Sequence, residues 1–126
     1  MGWSSWAEYG RITMDEMSRE LLEFELSQIL AKLVKAYFPH LKSVPKLEVR
    51  DASEDGPAWL NAIEGTIYID ERVAPFRKKT VRILILHELI HYGLYLENGD
   101  PDEAETKRFE KELSRLKLAG AYVGLL

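Results

Sequence analysis

His87, Glu88 and His91 bring two imidazoles and a carboxylate into one helical turn, in the order H-E-x-x-H. On an α-helix, side chains four apart stand on one face, one turn above the other. Two imidazoles so placed can grip one metal ion, and the glutamate after the first of them can project beside that ion. Two neutral nitrogen ligands with a neighbouring carboxylate base are what zinc-dependent hydrolysis of an amide needs. The chain has three histidines in all, and two of them are here. The plain alternative is a helix that carries two surface histidines by chance.

The surrounding residues argue against that alternative. Residues 80–96 read TVRILILHELIHYGLYL, apolar almost all round, which is the pattern of a buried helix. Two histidines and a glutamate in such a helix are costly unless they are paired or bound to metal. The apolar run is interrupted too often by polar residues to span a membrane.

A catalytic zinc takes three protein ligands and keeps one open position. Cysteine is absent, and His40 lies far upstream after Pro39, where a loop at a helix end is expected. Gly99 reads as a helix stop, and Asp100-Pro101 as an N-cap with proline at the first helical position. A helix over residues 100–118 follows. Asp102, Glu103 and Glu105 are the nearby carboxylates. Glu103 stands at capping-box distance from Asp100 and four before Lys107, which suits a surface ion pair. Glu105 stands four before Phe109, on the inward stripe that continues through Leu113. That phase puts Glu105 ahead of Glu103 as third ligand, with both still open. Lys107, Arg108, Glu110 and Lys111 mark the solvated side of the same helix.

An H-E-x-x-H helix, a short turn and a glutamate-bearing second helix resemble the gluzincin class of zinc metallopeptidases. The small size makes the chain most similar to the minigluzincins, and it is also similar to SprT-like and ImmA-like peptidase domains. In the latter two a third ligand precedes a phenylalanine by four residues, as Glu105 precedes Phe109. The resemblance covers residues 63–116. It implies a minimal zincin-like domain in which His87, His91 and Glu105 hold zinc. Glu88 is then the general base that hydrolyses peptide bonds with metal-activated water, on a peptide or unfolded protein substrate. The sequence lacks the H-x-x-G-x-x-H extension of metzincins, and the third-ligand region lacks the histidine that SprT-like domains carry. An extra oxyanion donor is expected; Tyr92, Tyr95 and Tyr122 are candidates, each equally suited to packing. Minigluzincins are associated with autoinhibition and self-association. The apolar tail 119–126, or the N-terminus with Trp3 and Trp6, is therefore expected either to dock on the core or to occupy a cleft. The competing reading is a metal-binding regulatory or interaction protein with a silent or autoinhibited site. The intact Glu88 argues against it, because a structural site has no use for a free base.

The remaining elements must position this site. At 126 residues, 46% of them apolar and 30% charged, the chain reads as one ordinary globular domain over residues 1–126. A net charge of -4, with no basic stripe interleaved with aromatics, argues against a nucleic-acid partner. The absence of cysteine excludes disulfides and fits a cytoplasmic location. No signal peptide or membrane anchor is expected. Thr13-Met14-Asp15-Glu16 has capping-box form and opens a long helix to Phe38. Its core stripe is Leu22, Leu26, Ile29, Leu33 and Tyr37, widened by Leu30 and Val34. Residues 45–50 read as a strand and 51–57 as a polar loop. Residues 59–63 and 66–70 flank Glu64-Gly65 as a hairpin. The fold class is therefore α+β: a long N-terminal helix, a small three-stranded sheet, the H-E-x-x-H helix and a glutamate-bearing helix. By resemblance, one hairpin strand, 59–63 or 66–70, offers an exposed edge to an extended peptide. The alternative is a hairpin that merely covers the core.

Overall fold

Asp15 caps the long first helix, α1 (Glu16–Tyr37). Its Oδ1 accepts from the Ser18 amide at 2.9 Å and its Oδ2 pairs with the Ser18 hydroxyl at 2.9 Å. These bonds satisfy a helix-start donor that has no partner inside the helix. They also hold the Asp15 carboxyl below the usual carboxylate range. The capping residue is thus Asp15, two positions after the expected Thr13, which lies outside the described residues. The computed structural model describes residues 15–51, 56–75, 78–99 and 107–125.

The expected stripe of α1 faces the core. Leu26, Leu30, Leu33 and Val34 are buried, and Leu22, Ile29 and Tyr37 pack against them half-buried. After α1 come β1 (Lys46–Arg50), β2 (Ala58–Asn61), β3 (Thr66–Asp70), α2 (Lys78–Asn98) and α3 (Lys107–Leu118). The protein is α+β, with three helices and a three-stranded mixed sheet among the described residues. None of those helices is long and apolar enough to cross a membrane.

The sheet order is β1-β3-β2. β2 and β3 form the expected antiparallel hairpin, while β1 joins the far side of β3 in parallel. The first hairpin strand ends at Asn61 rather than at residue 63. There the Asn61 side chain accepts from the Glu64 amide at 3.1 Å and donates to Glu64 Oε1 at 2.7 Å, which starts the turn. Gly65 closes that turn with φ 68°, a conformation that favours glycine.

One sheet face is made by Leu47, Val49, Ile67 and Ile69, all buried in the cluster shared with the helices. On the other face Trp59 stacks on Tyr68 with ring centroids 4.5 Å apart, and the Arg50 guanidinium lies 4.9 Å from the Tyr68 ring centre. All five residues of β3 are buried. The strand is paired on both sides, so residues 66–70 cannot be an exposed edge; that part of the sequence reading is corrected.

The two outer strands differ. On β1 the Val49 amide, pointing away from β3, donates to Glu23 Oε2 of α1 at 2.7 Å. On β2 the Asp70 amide bonds the Pro57 carbonyl at 2.9 Å. With the register Ala58↔Ile69 and Leu60↔Ile67, the backbone groups of Ala58 and Leu60 therefore point away from β3. Among the described residues no strand pairs with that edge.

Candidate metal centre

The motif lies on α2, which starts two residues before the expected position and ends two after it. Val81, Ile85, Leu86, Leu89 and Ile90 are at most 1% exposed, so this helix runs through the core. Half-buried positions at Leu84, His87, His91 and Tyr95 fall on one line along it. That line is where the imidazoles meet accessible space. The other elements that fix the helix are β2, β3, α1 and α3, all of which pack on it. Its C-terminus follows the expected rule. Gly99 has φ 73°, its amide bonds the Tyr95 carbonyl at 2.7 Å, and Asn98 Nδ2 bonds the Leu94 carbonyl at 2.9 Å.

The His87 and His91 rings have centroids 4.9 Å apart at 69°. Glu88 is buried, at 8% exposure, in the turn between them. The helix thus gathers the three motif side chains within one turn of one element. Phe109, in the first described turn of α3, packs on both rings. Its centroid is 4.9 Å from that of His87 and 4.7 Å from that of His91. The sequence places Phe109 on the inward stripe of the last helix and marks Glu105 by its spacing from it, but the contact with the two imidazoles crosses from one helix to another and no local pattern announces it.

Glu105, Glu103, Asp102 and the Asp100 cap lie outside the described residues. Among the described residues no group of three His, Cys, Asp or Glu side chains is arranged to hold a metal ion. His40 is exposed and near Phe38, with ring centroids 6.4 Å apart, in the loop after α1 as expected.

The three tyrosines part company. Tyr92 is buried and its hydroxyl shares a 2.7 Å hydrogen bond with Ser43 Oγ. A Cβ at Gly65 would come within 3.3 Å of that hydroxyl, so Tyr92 braces the hairpin turn against α2. Tyr122 is buried in the core cluster, and burial pushes its phenol pKa up. Tyr95 alone shares the histidine line.

The helix that carries Phe109 is anchored at its far end. Arg115 Nη2 donates to the Tyr37 carbonyl at the end of α1 at 2.9 Å, and Leu116 is fully buried. Gly120, with φ 89°, then turns the chain, and the Ala121 amide reaches back to the Leu116 carbonyl at 3.0 Å. Ala121 and Tyr122 enter the core cluster, so the described part of the tail docks on the core.

Comparison with protein-family models, with curated proteins and with solved structures gives no match to this chain.

Proposed function

We propose that the chain is a zinc-dependent metallopeptidase of minimal, gluzincin-like kind. The observation that carries this reading is the pair His87 and His91, one turn apart on α2 with rings 4.9 Å apart, bracketing the buried Glu88. That donor set fits zinc, needing one further protein ligand to reach the usual catalytic complement.

In this reading the third ligand is Glu105, ahead of Glu103. Phe109, four residues on in the sequence, packs on both imidazoles, so the first described turn of α3 lies at the pair. When bound, zinc polarises a substrate carbonyl and lowers the pKa of a water toward neutrality. Glu88 takes the proton of the attacking water and returns it to the leaving amine. Tyr95, one turn beyond His91 on the same line, is the candidate donor to the developing oxyanion.

The substrate is an extended peptide or unfolded protein segment. The outward backbone groups of Ala58 and Leu60 on β2, which packs beside α2, suit its main chain. A cysteine-free chain suits a reducing compartment, and the cytoplasm is the proposed location.

Metal analysis tests the site. The protein is expected to hold one zinc per chain, Glu105→Ala to lose it and Glu103→Ala to keep it. Full zinc retention by Glu105→Ala overturns the ligand assignment. A wild-type protein that takes up no zinc overturns the reading itself.

A further inference from the structure

We infer that Phe109 is a positioning residue of the imidazole pair, whose ring presets the orientation of both ligands before metal arrives. The inference rests on the zinc reading above and assigns a part of that site which the motif does not contain. Phe109 is 4% exposed and belongs to a different helix from the histidines. Its ring meets His87 at 58° and His91 at 39°, while the two imidazoles meet each other at 69°. The three rings form a closed triangle, with each imidazole held by the other and by the phenyl.

An imidazole on a helix has two rotatable bonds, one with staggered wells and one broad. A ligand that samples several rotamers must give up that freedom on coordination, whereas a packed one has given it up in folding. Leu84 and Tyr95 flank the pair along α2 itself, but they stand on the same element and move with it. Phe109 reaches both rings from across the helix interface, and Leu116 and Arg115 seat its helix on the core. Partners that orient metal ligands from outside the coordination sphere are worth roughly 10- to 100-fold in metal affinity.

The experiment uses the full chain and measures zinc affinity by chelator competition, cobalt absorption spectra and apo-protein melting. Phe109→Leu removes the ring and keeps an apolar side chain; Phe109→Met keeps more of the volume and repeats the comparison if the leucine protein is too unstable to load. Leu47→Ala is the control, since it opens a cavity at a buried position of β1, a strand that packs on α1 and β3 rather than carrying or seating Phe109. Phe109→Leu is expected to weaken zinc binding roughly 10- to 100-fold and to change the cobalt spectrum. Leu47→Ala is expected to melt at least as early, yet to bind zinc within about twofold of wild type. Wild-type zinc affinity and cobalt spectrum in both Phe109 variants overturn the inference. So does a loss of affinity in Leu47→Ala as large as that in Phe109→Leu, which makes the effect one of general stability. A wild-type chain without zinc uptake overturns the zinc reading, and this inference falls with it.

Discussion

Tyr92 and Tyr95 follow His91 by one and four residues, and their surroundings give them different work. Tyr92 spends its hydroxyl on Ser43, 49 residues away in the chain, and sits under Gly65. Tyr92→Phe is therefore expected to lower unfolding free energy by about 1 kcal/mol, with zinc content and turnover unchanged. Denaturant titration beside a turnover assay checks this; lost turnover at unchanged stability would give Tyr92 the oxyanion role instead. The contrast shows what single residues reveal in sequence. His87, Glu88 and His91 are legible because helical spacing is local and follows from the backbone alone. The Tyr92–Ser43 bond and the Phe109 contacts are long-range, and no local pattern announces them. The third-ligand question stays with Glu105 and Glu103 for the same reason, since phase on one helix says nothing of which carboxylate reaches another.

At the level of elements, helices were readable and strand neighbours were not. The stripe of α1 and the apolar run of α2 repeat often enough to fix both helices to within a few residues. Asp15 replaced Thr13 as the cap because both residues can accept from an amide three positions on, and the four-residue window fits either. The hairpin was legible from Glu64-Gly65, but β1 pairs with β3 across it in parallel. Alternation within TIYID cannot tell an edge strand from a central one buried on both faces. Two glycines test how the hairpin and α2 are locked together. Gly65→Ala places a Cβ at φ 68° and 3.3 Å from the Tyr92 hydroxyl, and is expected to cost roughly 1–2 kcal/mol. Gly93→Ala, inside α2, meets Leu41 Cδ2 alone among the described residues, at an ordinary 3.7 Å. It is expected to stabilise by roughly 0.5–1 kcal/mol. Thermal unfolding of both proteins decides the matter, and a destabilised Gly93→Ala would show that α2 tolerates no added bulk on that side.

Across the whole molecule, one apolar cluster runs from Leu26 in α1 to Tyr122 in the tail. The docking of that tail has a consequence at alkaline pH. Burial raises the Tyr122 phenol pKa, so folded and unfolded chains are both protonated there below the ordinary tyrosine range, and the contribution of its burial is complete. As pH rises through that range the unfolded chain ionises first, and stability falls. Melting temperature is expected to drop at high pH, and Tyr122→Phe to drop less; equal losses would place the effect elsewhere. The composition marks an ordinary globular chain and does not locate a site, and the account of function stands on one turn of α2. The measurement that tests it most directly counts bound zinc and the rate of cleavage of an unfolded polypeptide in the same samples of wild type and Glu88→Gln. The account predicts one zinc per chain in both proteins and a rate roughly 100- to 10,000-fold lower in Glu88→Gln. Equal cleavage by the two proteins with zinc retained would contradict it.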